Sequence, residues 1–436
     1  MVTAEAVAGL SVRKVIGNVI ALFSGTAAAQ AMTALAMFLT ARRLGASAYG
    51  QYAACFALAG LSAVTFNLGL DTWLLREGGQ GRISLGRLVG SSLTLKMLAG
   101  GPWLAVIAIL APKLNPSSFV PKLVLISAAA MWLDGAFLTG LSAFKASLRN
   151  QVTSVLTTAS RGGLLAATVM LIAAGHRDVT TYAWARLMVM GLSAVTALVL
   201  LCGTEKLRVD PAVMKRAGRE TLPYALSDAL TAVYVQADVT IIATKIGEQA
   251  AGLYSPASSL VNALFLVPGA VYEVMVPVLS RLVVDHDARM QRVIRYTTTG
   301  LVALGAALWI SLGLLARPII QLTLGGGFAQ SGDVLEILSA ILFFKSCSFA
   351  MAAVLVAVGW QGRRIIAQVI SAAANVVLNL LIVQRWGIVG VAWVYVFTEV
   401  TLLIGYIALV AWWRRERMQS VCNKWGVRQD SNSGWV

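Results

Sequence analysis

Long apolar segments follow one another along almost the whole sequence, separated by short polar stretches. Twelve such segments lie between residues 15 and 413. The hydrocarbon core of a bilayer is about 30 Å thick, so one helical crossing needs roughly 20 apolar residues. In lipid the backbone polar groups must bond within their own segment, which an α-helix achieves. The sequence therefore predicts an all-α integral membrane protein with twelve transmembrane helices.

The charge distribution fits that prediction better than it fits a nucleic-acid-binding protein. Hydrophobic residues make up 58% of the 436 residues and charged residues 12%, whereas a soluble domain carries about 25% charge. The net charge is +16, and Lys and Arg concentrate in the N-terminus, alternate loops and the C-terminus. Because cytoplasmic loops collect such bases, we expect both termini in the cytoplasm, contacts with membrane lipids, and no nucleic-acid partner.

Two stretches repeat each other at an offset of 202 residues. Residues 41–52 read ARRLGASAYGQY and residues 243–254 read ATKIGEQAAGLY, with five of the twelve aligned pairs identical. Each stretch precedes an apolar segment that carries one carboxylate at matching depth, Asp71 in the first half and Glu273 in the second. Related membrane halves are typical of transporters whose site lies between the halves. We therefore predict two pseudo-symmetric six-helix bundles around a central cavity.

The most polar internal stretch lies near the middle of the chain and predicts a linker between the halves. The expected organisation is an N-terminal six-helix bundle (1–205), a cytoplasmic linker (206–218), a C-terminal six-helix bundle (219–413) and a disordered cytoplasmic tail (414–436). Because each half crosses the membrane an even number of times, both halves insert in the same direction.

Several short motifs occur in a fixed order along the chain. Residues 39–52 and 67–77 are similar to ARxLGxxxYGxY followed by DLGLxxxxxRE, with Asn67 in place of the first Asp. The second half contains LPYALS at 222–227 and NVVLN at 375–379. In their order these motifs resemble the polysaccharide-transport branch of the MOP (multidrug/oligosaccharidyl-lipid/polysaccharide) exporter superfamily, the Wzx-type flippases. The resemblance covers nearly the whole chain.

This resemblance implies a substrate and a cellular role. It implies flipping of a polyprenyl-pyrophosphate-linked oligosaccharide across the bacterial inner membrane by alternating access. The product would feed surface polysaccharide biosynthesis, as exopolysaccharide, O-antigen or capsule. A polysaccharide polymerase and a chain-length regulator would then be partners.

Independently of that resemblance, ten charged side chains lie well inside apolar segments. A charge at the bilayer centre costs about 2.5–3.5 kcal/mol on insertion scales, so it usually faces a cavity or an opposite charge. A pyrophosphate crossing the membrane needs bases, since Arg offers a forked donor set and Lys a point charge. The candidates for headgroup contacts are Lys96, Arg161, Arg186 and Lys345, together with Arg42 and Arg43 at the end of the first helix. The rival interpretation is internal pairing, as between Arg161 and Asp134, or simple interfacial anchoring for the last two.

The embedded acids are candidates for ion coupling or gating. A carboxylate in a low-dielectric interior can take up H⁺ or Na⁺ during alternating access, and we expect no other cofactor. The candidates are Asp71, Asp134, Asp228, Asp238, Glu273 and Glu399.

Polar side chains also form stripes along individual helices. Ser227, Thr231 and Asp238 share one helical face, and Asn375 and Asn379 share another. The two asparagines are further candidates for headgroup contacts in the cavity. Alternatively, such residues form interhelical hydrogen bonds, worth roughly 0.6 kcal/mol each in membranes.

Three other functions remain open at this stage. A cation-coupled multidrug antiporter of the same fold would favour an acidic, aromatic cavity. A membrane-embedded glycan-modifying enzyme would need clustered catalytic residues, but His176 and His286 lie in predicted loops and no nucleophile–base pattern is evident. A scaffold would keep its charges paired internally. We therefore expect neither a catalytic site nor a bound metal.

Overall fold

The computed structural model describes residues 12–114, 117–284 and 290–424, and those residues are almost entirely helical. No strand occurs among them. The N-terminal half contains α1 (Val12–Leu44), α2 (Ala46–Ser62), α3 (Val64–Asn67), α4 (Leu70–Gln80), α5 (Leu85–Leu110), α6 (Pro121–Ala146), α7 (Asn150–Ala173) and α8 (Val179–Cys202). A short helix, α9 (Pro211–Glu220), leads into α10 (Leu222–Lys245), α11 (Glu248–Leu264), α12 (Leu266–Val284), α13 (Met290–Thr323), α14 (Ala329–Ala357) and α15 (Gln361–Lys424).

These helices make twelve crossings within the described residues. Eight helices are long and apolar enough to span a membrane, and two bent pairs raise that number to ten. One of the eight, α15, breaks at Gly387 (φ 57°) and supplies two crossings, and α1 adds the remaining one. The expected twelve helices in two related bundles are therefore confirmed.

The internal repeat is visible in the helix boundaries. Both ends of α2 lie 202 residues before the corresponding ends of α11. The residues preceding these helices are Gly45 and Gly247, with φ of 80° and 125°, a region that suits glycine because it has no Cβ. The helix pairings repeat as well: α1 packs on α7 as α10 packs on α15, and α5 packs on α6 as α13 packs on α14.

The two membrane faces differ in how the halves meet. We call the face with Gly45 and Gly247 the glycine-turn face, and the opposite face, which carries α9, the linker face. One hydrophobic core joins both halves near the glycine-turn face and includes Ala54 and Tyr254. Two separate cores lie near the linker face, one around Trp73 in the N-terminal half and one around Leu355 in the C-terminal half. The halves are therefore joined at one face and more separate at the other.

The joint at the glycine-turn face depends on two repeat-related glycines, where α2 crosses α11. A Cβ on Gly50 would overlap the backbone oxygen of Glu248, and a Cβ on Gly252 would overlap the backbone oxygen of Ala46. Glycine is required at both positions because the backbones themselves are in contact. The repeated Gly of the sequence motif thus marks a symmetric contact between the halves.

Two of the crossings are bent within their length. Leu68 and Gly69 have left-handed φ values of 51° and 68°, and the α2–α3 segment meets α4 at 45°. The break places Asp71 in the first turn of α4, where a helix N-terminus favours negative charge. In α10, a bend of 48° separates its first part from the part that begins at Val235.

The linker helix α9 is fixed to the N-terminal half by charged contacts. Arg216 lies 2.8 Å from Glu77, which is buried at the end of α4, and 2.8 Å from Glu220. Trp73 donates a hydrogen bond of 3.0 Å to Glu220. The hydrogen bond from Arg216, followed by that from Trp73, lowers the pKa of the Glu220 carboxyl. The boundaries of the predicted linker (206–218) and of the two bundles remain a prediction.

The C-terminal tail corrects one expectation. Helix α15 continues to Lys424, so the first part of the tail predicted to be disordered (414–436) is helical. The residues there include Arg414, Arg415 and Glu416, which favour helices intrinsically. The rest of the predicted tail lies outside the described residues.

Replacing Gly50 by Ala is expected to destabilise the joint between the halves. The added methyl group would force apart two backbones, and overpacking of this kind costs typically about 1–3 kcal/mol. Gly101 in α5 is the matched control, because a Cβ there would meet no atom within 4 Å. Thermal unfolding of the purified protein in detergent should show a lower midpoint for Gly50→Ala than for Gly101→Ala. Equal midpoints would contradict the contact.

Candidate functional site

A cavity of about 240 Å³ lies between the two halves. Its walls come from α1, α2, α6, α7 and α8 of the N-terminal half and from α10 and α11 of the C-terminal half. Arg161 and Arg186 line it, and Gln236, Ser255 and Ser259 add neutral polar groups from the other half. We call it the arginine cavity. Both arginines were among the headgroup candidates of the sequence.

Aromatic rings orient Arg186. The guanidinium carbon lies 4.0 Å from the centroid of the Phe56 ring, an arrangement that favours a cation. One terminal nitrogen donates a hydrogen bond of 3.3 Å to the Tyr52 hydroxyl. The buried Nε has no hydrogen-bond partner among the described residues. Since a buried donor without a partner is costly, Arg186 has a donor available for an oxygen that enters the cavity.

Arg161 is only loosely paired with Asp134. The nearest guanidinium nitrogen lies 4.0 Å from the carboxylate, beyond hydrogen-bond distance, and its other contact is 3.9 Å to the sulfur of Met190. The buried Oδ1 of Asp134 has no hydrogen-bond partner in the described chain. The geometry is intermediate between internal pairing and headgroup contact. Arg161 is close enough to Asp134 for electrostatic attraction, and it still lines the cavity.

Lys96 takes no part in that cavity. Its ammonium donates 2.8 Å hydrogen bonds to both carboxylate oxygens of Asp71 and one of 2.9 Å to the backbone oxygen of Gly135. Thr139 donates a further 2.8 Å bond to Asp71. Lys96 is fully buried, and three acceptors use all three of its donors. For Lys96, internal ion pairing is therefore the interpretation that fits, and not contact with the substrate headgroup. Its partner is Asp71, a pairing that the sequence analysis does not propose.

The C-terminal half contains a buried carboxylate held by neutral groups. Asp238 accepts 2.8 Å hydrogen bonds from the Tyr254 hydroxyl and the Asn379 amide. Asn379 also donates to Asn375 at 3.2 Å, and Asn375 donates to Thr398 at 3.4 Å. We call these five residues the carboxylate cluster. The asparagines that the sequence placed among headgroup candidates therefore surround Asp238.

This cluster is suited to a small cation. A buried carboxylate without an opposite charge is unfavourable, so a proton or a metal ion would stabilise it. The amide oxygen of Asn379 is buried without a hydrogen-bond partner among the described residues, and the oxygens of Asp238, Asn375 and Thr398 are close by. Such oxygen ligands are typical of hard cations.

A second cavity of about 240 Å³ lies within the C-terminal half. Polar groups of Thr231, Asn262 and Gln368 line it, together with the Lys345 ammonium and several apolar side chains. Lys345 lies 2.7 Å from a carboxylate oxygen of Glu399, which is fully buried. We call this space the lysine cavity. The charge of Lys345 is thus already compensated by a neighbouring acid.

The remaining charged candidates lie elsewhere. Arg42 donates to the backbone oxygen of Leu322 at 3.3 Å and Arg43 to that of His176 at 3.0 Å, both at the glycine-turn face. Asp228 is partly buried on α10. Glu273 is exposed on α12, so the repeat-related acids Asp71 and Glu273 have different surroundings. Their proposed roles in coupling or gating remain predictions.

Three residues of the site were not foreseen as functional. Tyr52 and Phe56 orient Arg186, and Tyr254 holds Asp238. The sequence did contain a signal, because Tyr52 and Tyr254 are identical residues of the 202-residue repeat. No group of three or more potential metal-binding His, Cys, Asp or Glu side chains occurs in the part of the chain that the structure describes.

Solved transporter structures share this fold. The inward closed conformation of the lipid II flippase MurJ superposes with a TM-score of 0.70 at 14% identity, covering 89% of this chain and 87% of that one. An outward-facing multidrug resistance MATE family transporter of the MOP superfamily gives a TM-score of 0.62 at 14% identity, covering 93% and 96% of the two chains. The chain is therefore a multi-pass membrane protein with the twelve-helix MOP fold.

The sequence comparisons narrow this class. Residues 39–333 match the model of the family described as polysaccharide biosynthesis protein, which is more than half of the chain. The probable low-salt glycan biosynthesis flippase Agl15 of Haloferax volcanii is 23% identical over 360 residues, covering 81% of this chain and 74% of that protein. The chain belongs to the polysaccharide biosynthesis protein family, as the sequence motifs predict.

The Lys96–Asp71 pair can be tested as a structural element. Lys96→Met would leave Asp71 without its cation, and breaking a buried pair costs about 3–5 kcal/mol. The expected loss is at the lower end, because Asp71 is 22% exposed. The double variant Lys96→Met, Asp71→Asn should recover most of the thermal stability, as measured in detergent. A double variant no more stable than the single one would contradict pairing as the role of Lys96.

Proposed function

We propose that this protein flips a polyprenyl-pyrophosphate-linked oligosaccharide across the bacterial inner membrane, as a transporter and not an enzyme, for surface polysaccharide biosynthesis. The observation that carries the proposal is the arginine cavity. It lies between the two halves of a MOP fold, and Arg186 faces it with an unused donor. Family membership and the flippase relatives support the same function.

The cavity suits the charged part of such a substrate. Arg161 and Arg186 outnumber the nearby Asp134, so the site keeps a net positive charge. Guanidinium groups bind phosphate oxygens through paired, charge-assisted hydrogen bonds. Gln236 and Ser259 offer neutral partners for sugar hydroxyls. The pyrophosphate and its first sugars would occupy the cavity while the polyprenyl tail stays in the bilayer.

Alternating access follows from the unequal contacts at the two faces. The halves share a core near the glycine-turn face and have separate cores near the linker face. This arrangement corresponds to a state closed at the glycine-turn face. Rocking of the two halves would break the α2–α11 crossing and expose the cavity to the other side.

The distribution of exposed bases supports an orientation. Arg82, Arg149, Lys215 and Arg219 are exposed at the linker face. By the positive-inside rule we assign this face to the cytoplasm, and both termini would then lie on the cytoplasmic side. The substrate would then enter from the cytoplasm and leave at the glycine-turn face, toward a polysaccharide polymerase and a chain-length regulator. No contact with nucleic acid is part of this function.

The carboxylate cluster supports coupling to a cation. Binding of H⁺ or Na⁺ at Asp238 would compensate its buried charge. Release of the cation would leave an uncompensated buried carboxylate, which is energetically unfavourable. A cycle of binding and release on opposite sides can therefore drive the change of state. We propose Asp238 as the coupling residue, with Tyr254 and Asn379 holding it in place.

A cation-coupled multidrug antiporter of the same fold is the second candidate. The buried Asp238 and the similarity to MATE structures favour it, since a drug cation would need an acidic site. The net positive arginine cavity between the halves argues for an anionic substrate instead. Efflux of cationic dyes by the protein in inverted membrane vesicles, without any flipping of lipid-linked sugar, would decide for the antiporter.

Removing either cavity arginine should abolish most flipping. Loss of a charge-assisted contact to phosphate costs about 1.5–3 kcal/mol, so Arg161→Ala and Arg186→Gln should each slow flipping roughly tenfold or more. The measurement is the exposure of a fluorescent polyprenyl-pyrophosphate sugar in proteoliposomes, alongside surface polysaccharide in cells. Arg317→Gln is the control, because Arg317 lies at the glycine-turn face with 65% of its side chain exposed. Wild-type flipping by both cavity variants would refute the site.

Replacing Asp238 by Asn should uncouple transport from the cation. The amide keeps the size of the side chain but removes the charge that attracts H⁺ or Na⁺. Flipping by Asp238→Asn in proteoliposomes should no longer respond to an imposed Na⁺ or pH gradient. Asp333→Asn, at an exposed residue, should respond like the native protein. A response retained in Asp238→Asn would remove Asp238 from the coupling mechanism.

A further inference from the structure

The lysine cavity borders the carboxylate cluster on two helices. Val235 lines the cavity and lies three residues before Asp238 on α10, and Ala372 lines it three residues before Asn375 on α15. Because residues three apart in a helix are neighbours on one face, the inner end of the cavity lies next to the cluster.

From there the cavity extends toward the linker face. On α10 its lining continues back from Val235, across the bend of that helix, to Ser227 in the part nearer the linker face. On α15 the lining continues back to Ile365, close to the start of the helix at Gln361. Both helices begin at the linker face, so the cavity extends from the direction of that face to within one helical turn of Asp238 along α10.

The lining provides a polar track. The hydroxyls of Ser227 and Thr231 are one helical turn apart, and Asn262 and Gln368 face the same space from α11 and α15. Ser227 and Thr231 are both exposed. Hydroxyl and amide oxygens can replace part of the hydration of a small cation, which a purely apolar wall could not do.

The fixed charges along this track have the opposite balance to those of the arginine cavity. The Lys345 ammonium is compensated by Glu399 at 2.7 Å, and the next fixed charge inward is the Asp238 carboxylate. These three groups carry a net negative charge, whereas Arg161, Arg186 and Asp134 carry a net positive one. The two cavities therefore differ in the sign of the net fixed charge near them.

We infer that the lysine cavity is the vestibule through which a monovalent cation reaches Asp238 from the linker face, and that Glu399 maintains its cation preference by compensating Lys345. The inference rests on the proposed coupling of transport to a cation. Beyond that coupling, the inference names the route by which the cation reaches Asp238, the membrane face at which this route begins, and a role for the Lys345–Glu399 pair. Without Glu399, the charge of Lys345 would offset that of Asp238, and the track would lose its net negative charge.

The test compares how fast charged thiol reagents reach single cysteines. In the full-length protein with its four native cysteines replaced by Ser, Thr231→Cys reports on the lysine cavity and Ser259→Cys on the arginine cavity. The probes are the cationic trimethylammonium-ethyl and the anionic sulfonatoethyl methanethiosulfonates. The lysine cavity should favour the cationic reagent and the arginine cavity the anionic one, each by about tenfold relative to a thiol in solution.

Variants of the ion pair separate electrostatics from structure. Adding Glu399→Gln to the Thr231→Cys protein should abolish its preference for the cationic reagent, because the charge of Lys345 then offsets that of Asp238. The double change Lys345→Gln, Glu399→Gln removes both charges and should keep the original preference. If Glu399→Gln does not fold, the double variant and a second reporter, Gln368→Cys, still test the charge preference. Protection of Thr231→Cys by Na⁺ would further support the route.

Two results would overturn the inference: an unreactive Thr231→Cys with an unreactive Gln368→Cys, or the same reagent preference in both cavities. Failure of the proposed coupling would look different. In that case flipping would be independent of every cation gradient while the reagent preferences stayed as expected. The two ideas can therefore fail separately.

Discussion

An ionised group inside a membrane must be compensated by an opposite charge, by water or by a ligand, and this requirement organises the structure. The fully buried Lys96 is paired with the partly exposed Asp71, and every ammonium donor is used. Arg186 is compensated only in part, by ring faces and one hydroxyl. Asp238 accepts hydrogen bonds from the neutral side chains of Tyr254 and Asn379. The degree of compensation therefore separates structural charges from those that have capacity for a ligand.

The same criterion describes how the two halves differ although they share one sequence repeat. Tyr52 and Tyr254 occupy equivalent positions on α2 and α11, yet one contacts a guanidinium and the other a carboxylate. A tyrosine hydroxyl can do both, because it accepts from a cation and donates to an anion. The shared geometry of the repeat thus places one tyrosine hydroxyl beside a guanidinium at the arginine cavity and the other beside a carboxylate in the C-terminal half.

The sequence predicted the fold far better than the partners of the charged residues. Apolar segment lengths and the glycine repeat were enough for twelve crossings in two related bundles, because both follow from the thickness of the bilayer and local backbone geometry. Ion pairing depends on which faces of distant helices meet. Lys96 and Asp71 are 25 residues apart on two crossings joined by a short loop, and their pairing depends on the break at Leu68 and Gly69, which no apolar pattern reveals. Asp71 and Glu273 lie at matching positions in their apolar segments, yet their surroundings differ. The reason is the same: the surroundings depend on which helix faces meet.

The α2–α11 crossing connects these parts mechanically. Gly50 and Gly252 bring the two backbones into contact, and each tyrosine follows its glycine by two residues. The crossing closes the glycine-turn face, so opening that face requires the two helices to separate. Separation would move Tyr52 relative to Arg186 or Tyr254 relative to Asp238, unless each half moves as a rigid unit. In the rigid case the arginine cavity itself must open, because Gln236, Ser255 and Ser259 form its wall from the other half. In either case, a state that changes access at the glycine-turn face also changes the surroundings of the arginines.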